Sequence, residues 1–432
     1  MSSAQQSFNV AMLGCGVVGS EVARLLLADD GDFAARSGAR LDLIRIAVRD
    51  SKASRGQIPA TILTQDAESV VSDPLVDIVI EVMGGIEPAR SLILKAISNG
   101  KSIITANKAL LAQHGAELFS AADKAGVDLY YEASVGGAIP ILRPMRESIV
   151  GDHVNRVIGI VNGTTNYILT KMDEDGSSFD EALKEAQYLG FAEADPTADV
   201  AGHDAAAKAA ILAGLAFHSR IASSDVFCEG ISQISGRDVA VARDMGCVIK
   251  LLAIAELTKD NQISVRVHPT LISRKHPLAA VRLAFNAVFI EAQSAGELMF
   301  YGRGAGGEPT ASAILGDLIA IARNKIRGGQ GHGESDYADL AIAPIGKVKS
   351  QYLIRLDVVD RPGVLASVAQ LFAANGVSIE TVRQTGRGDS AELIVATHYA
   401  PESSLKETVK SLADSDVVKS VESVLRIEGS KQ

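Results

Sequence analysis

The sequence predicts an α/β protein built from more than one domain. Near the N-terminus an apolar strand, a glycine-rich turn and a helix follow one another directly, and strands and helices alternate to about residue 139. From residue 351 onward, the pattern strand, helix, strand, strand, helix, strand is typical of a ferredoxin-like fold. The 432 residues are enough for two or three domains.

Composition and charge narrow the classes of function. Apolar residues make up 47% and charged residues 22% of the chain, as in a globular protein. Aromatic residues make up only 4% with no Trp, and the net charge is −10, which argues against a nucleic-acid or anionic-membrane surface. Three cysteines without a CxxC motif predict neither a disulfide framework nor a zinc cluster. The absence of a basic leader and of an uncharged apolar run of about 18 residues predicts a cytoplasmic protein.

A glycine-rich turn connects the first predicted strand, Phe8–Leu13, to the first predicted helix, Val17–Ala28. Gly14, Gly16 and Gly19 have the spacing G-x-G-x-x-G. The first glycine permits a tight turn, the second lets the backbone approach a pyrophosphate, and the third lets the helix lie close to the strand. The helix N-terminus adds N–H donors and positive potential. This context favours a Rossmann-type dinucleotide-binding domain over a turn that serves packing alone.

The residues after the second predicted strand, Leu41–Val48, bear on the choice of dinucleotide. Arg49 and Asp50 follow it directly, with Lys52 and Arg55 beyond. An acid here binds the ribose hydroxyls of NAD, whereas an arginine accommodates the 2′-phosphate of NADP. We therefore favour NADP. Asp50 keeps NAD open, and a solvated loop is the alternative reading of the cations.

Two more positions in this part of the chain are candidate ligands. Lys108 lies just after the predicted strand Ser102–Thr105, at the edge where open α/β sheets bind ligands, and could contact cofactor or substrate. Glu132 ends another predicted strand and precedes ASVGGAIPI, a turn rich in small residues. A carboxylate with nearby carbonyls could bind a hard cation there, although a structural turn explains the pattern equally well.

From about Pro140 the pattern changes to mixed α and β. The predicted elements are a strand Val157–Val161, a helix opened by NGTTNYIL, helices over Phe179–Leu189 and near Val241–Lys250, and strands over Ile263–Val267 and Ala287–Glu291. A second glycine loop, Gly302–Gly307, precedes a helix capped by Thr310 or Ser312. Such a loop allows close approach to a ligand, with a hinge as the alternative.

A cluster of acids precedes an unusually apolar helix in the stretch FAEADPTADVAGHDAAAKAAILAGLAF. Glu193, Asp195 and Asp199 come first, and the helix then carries Asp204 and Lys208 four residues apart, on one face. Buried charges are costly unless paired, and a buried lysine has a pKa that can move toward neutrality, which suits general acid–base catalysis. A purely structural ion pair is the alternative.

The C-terminal part begins with a segment of no clear period, Ile326–Lys349, which we interpret as a linker. The elements predicted after it are a strand Tyr352–Asp357, the turn DRPGVL, a helix Leu365–Asn375, strands Val377–Thr385 and Glu392–His398, a helix Ser404–Leu412 and a strand Val417–Ile427. This order predicts a small, separate module of ferredoxin-like type.

Taken together, these motifs resemble the homoserine dehydrogenase family in its long form with a C-terminal ACT domain. GCGVVGS, TANKALLA, YYEASVGGAIPILRP, GIVNGTTNYIL, EADPTADVAGHDAAAKAAILA, YGRGAGGEPTASA and DRPGVLASVAQLFAANGVSIE match the family in order, over nearly the whole chain. The resemblance implies a Rossmann-type domain over 1–139 completed by a helix at 303–325, a substrate and dimerisation domain over 140–302, a linker over 326–350 and an ACT domain over 351–432. It also implies NADPH- or NADH-dependent reduction of L-aspartate 4-semialdehyde to L-homoserine, in threonine and methionine biosynthesis.

The resemblance further assigns roles to residues by position. Lys208 corresponds to the lysine that donates a proton to the carbonyl oxygen, and Asp204 to a supporting, substrate-binding acid. Glu193 corresponds to the acid that holds the substrate ammonium, with Asp199 close by. The cofactor positions, from the glycine motif and the resemblance together, are Gly14, Gly16, Val17, Val18, Gly19, Arg49, Lys108 and Gly307. A structural sodium ion would be bound by Glu132 and the carbonyls of Val135, Gly137 and Ile139. Arg303 departs from the family pattern YGPGAGG, which leaves the rigidity of this loop and its cofactor contact open.

ACT modules of this kind resemble amino-acid sensors that pair edge to edge and bind an effector at the interface. Threonine, the pathway end product, is the expected effector, and a module that only oligomerises is the alternative. The expected pocket residues are Asp360, Gly363, Asn375 and Val377. The resemblance implies a homodimer or homotetramer.

Two rival functions remain at this point. An ACT-bearing 2-hydroxy-acid dehydrogenase needs a catalytic histidine with an acid partner, which His203 and His218 do not offer. A non-catalytic sensor of nucleotides and amino acids would leave the spacing of Asp204 and Lys208 unexplained.

Overall fold

A computed structural model describes residues 6–53, 55–333, 336–386 and 390–429. The strands are β1 Ser7–Leu13, β2 Arg40–Ala47, β3 Leu63–Thr64, β4 Ile78–Glu81, β5 Ser102–Thr105, β6 Leu129–Tyr130, β7 Val154–Ile160, β8 Phe227–Cys228, β9 Cys247–Leu257, β10 Ile263–Ser273, β11 Phe285–Ala292, β12 Gly296–Arg303, β13 Lys349–Val359, β14 Ile379–Gly386, β15 Ser390–Thr397, β16 Ala400–Pro401 and β17 Val418–Glu428. The helices are α1 Val17–Leu27, α2 Asp32–Ser37, α3 Ala67–Ser72, α4 Ala89–Ser98, α5 Lys108–Ala125, α6 Gly163–Glu174, α7 Phe179–Tyr188, α8 Thr197–Val200, α9 His203–Phe217, α10 Gly236–Asp244, α11 Gly307–Ile326, α12 Val364–Ala374 and α13 Glu402–Ala413.

The chain divides into two compact units. The first unit comprises Met1–Val157, Ala207–Ser224 and Asn286–Asp339, and the second comprises Ile158–Ala206, Asp225–Phe285 and Leu340–Gln432. The segment 140–302, predicted as one domain, thus contributes residues to both units. None of the helices in the described part of the chain is long and apolar enough to cross a membrane.

The first unit contains a six-stranded parallel sheet in the order β3-β2-β1-β4-β5-β6. Its central strands β4 and β5 are buried along their whole length, as is typical of a parallel sheet that helices cover on both faces. The core between sheet and helices includes apolar residues of β1, α1 and α11. The predicted Rossmann-type architecture is confirmed. Strand order reverses between β1 and β4, and such a point forms the ligand crevice in open α/β sheets.

The first unit also contains three further neighbouring strands, in the order β12-β11-β7. Strand β12 was not predicted, and it explains why α11 begins at Gly307 rather than at the expected residue 303. The sequence of β12, GELMFYGR, is exposed at alternate positions along its length. Leu, Met, Phe and Tyr follow one another in this sequence, so polar and apolar residues do not alternate. Without that alternation, a short segment between glycines is hard to tell from a loop.

In the second unit, neighbouring strands follow the order β9-β10-β17-β13-β15-β14. The last four have the strand order of a ferredoxin-like fold, which confirms that prediction for the C-terminal module. The sheet of this module is joined to the rest of the second unit. Strand β17 pairs in parallel with β10, where Thr270 lies opposite Arg426, so one sheet runs through both parts of the unit.

A prediction that needs correction is the helix near Val241–Lys250. The helix there is α10, Gly236–Asp244, and Cys247 already begins β9. Ser235 fixes the earlier start because its hydroxyl and the Asp238 carboxylate form a reciprocal capping box. The apolar run of β9 has no strict alternation, since most of its residues are buried on both faces, and periodicity alone does not separate such a strand from a helix.

Candidate active site

The three motif glycines of the first unit differ in what surrounds them. A Cβ atom on Gly14, whose φ is +103°, would lie 2.7 Å from the carbonyl oxygen of Val82, and one on Gly19 would lie 2.7 Å from the carbonyl oxygen of Gly14. A Cβ atom on Gly16 would meet no atom within 4 Å. Gly14 and Gly19 are therefore required by close packing of β1, β4 and α1, whereas Gly16 faces open space at the N-terminus of α1, where a phosphate group would bind.

The second glycine loop approaches this same helix end. A Cβ atom on Gly307 would lie 3.0 Å from Cγ of Glu21 and 3.1 Å from the carbonyl oxygen of Val17. The N-termini of α1 and α11 therefore lie close together, and their positive ends add at one place. Val17 is 76% exposed there, while Val18 packs against the core. Arg303 leaves the loop backbone in place, since its carbonyl accepts a hydrogen bond of 3.0 Å from Ala138 N–H.

Arg49 and Asp50 follow the carboxyl end of β2 and are both exposed. The Asp50 carboxylate accepts a 2.9 Å hydrogen bond from the backbone N–H of Lys52, so it already caps its own turn. Arg49 makes no hydrogen bond or ion pair to any described residue. This arrangement leaves a cation available at the position where a 2′-phosphate would lie.

A network of hydrogen bonds joins the carboxyl ends of β4 and β5, and sequence reasoning missed it. Glu81, fully buried, accepts hydrogen bonds from the N–H groups of Met83 (2.8 Å) and Gly84 (3.1 Å) and from the Thr105 hydroxyl (2.6 Å). Asn107 caps α5 and donates to the carbonyl of Gly85 at 2.6 Å. This hydrogen-bond network fixes the start of α5, where Lys108 is the first residue. Lys108 therefore lies at the predicted ligand-binding edge of the sheet.

The carboxylate of the predicted cation turn also binds the backbone that follows it. Glu132 accepts hydrogen bonds from the backbone N–H groups of Ile141 (2.6 Å), Leu142 (2.8 Å) and Arg143 (2.8 Å), so its charge is already satisfied by the following turn. The carbonyls predicted to bind the ion accept no hydrogen bond from the described residues; they belong to Val135, Gly137 and Ile139. Oxygen atoms of this kind fit a hard cation, and Glu132 adds one negative charge nearby.

Asp317 supports the same turn from α11, and sequence reasoning missed this residue too. Its carboxylate accepts a 2.9 Å hydrogen bond from Glu132 N–H and a second one from the Arg143 guanidinium. Complete burial, and then the nearby Glu132 charge, raise the pKa of Asp317 to about 7, against the opposing effect of Arg143. The group has no solvent contact, so it acts on the turn only through these bonds.

In the second unit, one side-chain amide joins two of the predicted acids. Nδ2 of Asn162 donates to Oδ1 of Asp199 at 2.7 Å and to Oδ2 of Asp204 at 2.9 Å. The Thr164 hydroxyl lies 2.6 Å from the carbonyl oxygen of Phe191 and 3.1 Å from Oδ2 of Asp199, and its single proton can be donated to only one of them at a time. Asp204 is 8% exposed and Asp199 is half-buried. Sequence reasoning identified Asn162 and Thr164 only as helix-capping residues, because their acid partners lie more than 30 positions later.

Glu193 stands apart from this network. It lies in the loop after α7, it is exposed, and its carboxylate makes no hydrogen bond or ion pair within the described ranges. Its backbone carbonyl accepts a 3.1 Å hydrogen bond from the Gln187 amide. The Asp195 carboxylate accepts hydrogen bonds from its neighbour Thr197, from the backbone N–H at 3.1 Å and from the hydroxyl at 2.6 Å. The structure therefore brings two of the four predicted acids together.

Helix α9 carries Asp204 and Lys208 one turn apart, and each is 8% exposed. The boundary between the two compact units falls between these residues, since Asp204 belongs to the second unit and Lys208 to the first. The start of α9 is closely packed within the second unit: a Cβ atom on Gly202, whose φ is +85°, would lie 2.9 Å from Sγ of Cys228. Burial raises the pKa of that thiol to about 11, so it packs as a neutral group.

The four residues predicted for the effector pocket form two pairs at opposite ends of α12. Asp360 and Gly363 are exposed at its N-terminal end, while Val377 is buried and Asn375 is bonded to the Leu371 carbonyl (2.9 Å) at its C-terminal end. Eleven residues of α-helix span about 16 Å. A single small amino acid therefore cannot touch both pairs within one chain.

Comparison with known proteins identifies the family. The family profile described as homoserine dehydrogenase matches residues 140–319, that of its NAD-binding domain matches 14–132, and that of the ACT domain matches 352–414. The homoserine dehydrogenase of Corynebacterium glutamicum is 53% identical over 423 residues, which cover 97% of this chain and 95% of that protein. The chain belongs to the homoserine dehydrogenase family.

Solved structures of homoserine dehydrogenases agree with the fold. The enzyme from Thiobacillus denitrificans has a TM-score of 0.93 at 38% identity and covers 98% of both chains. A hyperthermophilic archaeal homoserine dehydrogenase mutant in complex with NADPH has a TM-score of 0.63 at 27% identity and covers 73% of this chain and 98% of that one. The family resemblance inferred from the motifs is thus confirmed, and with it a dehydrogenase of amino-acid biosynthesis that has a nicotinamide-dinucleotide domain and an ACT domain.

Proposed function

We propose that this chain catalyses the NAD(P)H-dependent reduction of L-aspartate 4-semialdehyde to L-homoserine, with Lys208 as the proton donor. The observation that carries the proposal is on α9, where an acid and a lysine share one face of an otherwise apolar helix and are both 8% exposed. Asp204 is held in place by Asn162, as an acid with a positioning role would be. Burying two charged groups is costly even when they are paired, which favours a functional role for them over a purely structural ion pair.

The chemistry asks for a proton at one atom. The dinucleotide supplies the hydride that adds to the aldehyde carbon. The oxygen then carries a developing negative charge, and Nζ of Lys208 stabilises this charge and transfers a proton to it. Such proton transfer is worth about 10²–10⁴ in rate. Glu193, with Asp199 close by, orients the substrate through its ammonium group, since charge-assisted hydrogen bonds to carboxylates are strong and directional. Asp204 is proposed as a supporting, substrate-binding acid.

NADP is the proposed preferred cofactor, with NAD as the alternative. Support comes from the available guanidinium of Arg49 and from the prior engagement of the Asp50 carboxylate with its own turn. Gly16, Val17 and Gly307 would contact the pyrophosphate, and Lys108 the nicotinamide half. Titration of the protein with NADH and with NADPH tests this preference. Binding is measured by the fluorescence of the reduced nicotinamide, and the protein has no Trp to interfere. A lower dissociation constant for NADH than for NADPH would contradict it.

The remaining features of the proposal concern ions, effectors and assembly. A sodium ion bound by the carbonyls of Val135, Gly137 and Ile139 would be structural, since the reaction needs no metal. Threonine is the proposed effector of the ACT domain, in a cytoplasmic homodimer or homotetramer. Because its four candidate residues lie in two separated pairs, we propose that one effector molecule contacts residues of two ACT copies. Equal steady-state rates with and without millimolar threonine would contradict feedback inhibition.

The direct test of the function is NADPH oxidation, followed by absorbance at fixed enzyme concentration, on addition of L-aspartate 4-semialdehyde. We expect turnover with this aldehyde and none with 2-oxo acids, which are the substrates of the rival dehydrogenase class. Turnover of 2-oxo acids alone would assign the chain to that class. Binding of nucleotide without turnover of any aldehyde would favour a non-catalytic sensor.

A further inference from the structure

The side chain of Asn162 occupies an unusual position between two acids. It lies at the N-cap of α6 and is 5% exposed. Its single NH₂ group donates to Asp199 at 2.7 Å and to Asp204 at 2.9 Å. The bond to Asp199 is short for an N–H···O contact, as expected when the acceptor is charged, and the bond to Asp204 has an ordinary length.

The amide has its orientation fixed by a third residue. Oδ1 of Asn162 accepts hydrogen bonds from Thr165 through its backbone N–H (2.9 Å) and its hydroxyl (2.9 Å). The oxygen is therefore held toward α6, and both N–H donors are held toward the acids. A reversed amide would lose two bonds and place an oxygen against two carboxylates, so the orientation is strongly determined.

We propose that Asn162 is a positioning residue that holds Asp199 and Asp204 together as one binding group for the substrate ammonium. This inference rests on the proposed function. Two carboxylates this close to one another repel each other. Without an N–H donor between them they would move apart or take up a proton. The two N–H groups hold the two carboxylates close together, so that an ammonium group finds both acids at a fixed separation.

Charged groups on other elements packed against α6 include Glu185 of α7, which pairs with Lys171; Arg243 of α10, which bonds to Asp173; and Lys250 of β9, which bonds to Asn166. From α8 and α9, Asp199 and Asp204 accept hydrogen bonds from the Asn162 amide. Replacing this amide therefore acts first on these two acids.

The experiment replaces the donor and keeps the shape. Asn162→Asp retains the cap oxygen for Thr165 but puts a carboxylate oxygen in place of the NH₂ group. At pH 8 we expect the KM for L-aspartate 4-semialdehyde to rise about 10- to 100-fold, as for the loss of a hydrogen bond to a charged group, with a smaller change in kcat. We expect kcat/KM to recover toward pH 6, because a proton shared among three carboxylates restores one hydrogen bond.

Two further variants separate positioning from folding. Asn162→Ser keeps one cap oxygen and one hydroxyl donor, so we expect a smaller rise in KM and no recovery at low pH. Asn166→Asp changes an equally buried asparagine one turn later, which donates to backbone carbonyls of Val281, Leu283 and Phe285, accepts a hydrogen bond from Lys250 and contacts no acid. We expect Asn166→Asp to leave KM unchanged.

The outcomes are distinguishable. Parallel pH profiles and equal KM values for wild type and Asn162→Asp would overturn the positioning role while leaving the proposed function intact. The same holds if Asn162→Asp loses NADPH binding and thermal stability as a misfolded variant would, and Asn162→Ser retains the wild-type KM. A wild-type protein that does not reduce the aldehyde would instead remove the proposed function itself.

Discussion

Several polar side chains decide the local chemistry of this molecule by being buried together with their partners. Glu81 and Asn162 each satisfy two or more groups of the chain, and both lie where a substrate or a cofactor is expected. Lys250 is a different case, because it is 2% exposed and its partners are the neutral oxygens of Asn166 (2.9 Å) and Val281 (2.6 Å). A charge without a close counter-ion is costly to bury.

The pH dependence of stability tests the state of Lys250. Burial lowers its pKa to about 8 from the ordinary 10.5, so between these values the unfolded chain binds more protons than the folded chain. Its unfavourable contribution is therefore full below pH 8 and relieved as pH rises toward 10.5. We expect the melting temperature of wild type relative to Lys250→Met to rise between pH 7.5 and 10. A difference that is constant or falls over this range would contradict the burial of a charged amine.

At the scale of elements, the glycines around α1 separate a packing role from a binding role. A Cβ atom on Gly19 would lie 2.7 Å from backbone, whereas one on Gly16, whose φ is −86°, would meet only open space. The same methyl group therefore has different consequences at positions three residues apart.

The variants Gly16→Ala and Gly19→Ala form a matched pair. We expect Gly16→Ala to keep the wild-type melting temperature and to weaken nucleotide binding, because the methyl group occupies the phosphate position. We expect Gly19→Ala to lower both, since α1 must move from β1, at a cost of about 1–3 kcal/mol for overpacking. Calorimetric melting and NADPH titration measure these effects. Unchanged nucleotide affinity in Gly16→Ala would show that this helix end does not bind the phosphate.

What could be predicted from the sequence depended on the distance between interacting residues. The glycine turn and the starts of α6 and α7 follow from neighbours within a few positions, and their predicted places were close to those in the structure. The two hydrogen bonds from Asn162 reach Asp199 and Asp204, which lie 37 and 42 positions away, so no local pattern reveals them. The same limit applies to Glu81 and Thr105, which are 24 positions apart.

At the scale of the whole molecule, the C-terminal module is built into the second unit. Its sheet continues through β17 into β10. Charged residues also connect this sheet to α10. Arg355 of β13 is 9% exposed and donates to Asp238 of α10 at 3.1 Å and to Glu392 of β15 at 3.2 Å. Arg237 of α10 also pairs with Glu392. Because α10 packs against α6, whose N-cap is Asn162, this module is connected by continuous contacts to the acids proposed to bind the substrate.

Removing Arg355 tests how strongly this junction is held. Arg355→Met leaves the nearly fully buried Asp238 with an uncompensated charge, and breaking such a pair costs about 3–5 kcal/mol. Arg383→Met is the matched control, since Arg383 pairs with Asp244 on the surface, where an ion pair contributes about 0–1 kcal/mol. Denaturant unfolding of both variants measures the difference. Equal destabilisation by the two substitutions would contradict a buried junction.

The most direct test of Lys208 as proton donor is the rate of NADPH oxidation by Lys208→Ala at saturating nucleotide and aldehyde. We expect turnover to fall by about 10²–10⁴, while the dissociation constant of NADPH stays near that of wild type. Turnover at the wild-type rate, or a loss of NADPH binding that parallels the loss of turnover, would contradict this role for Lys208.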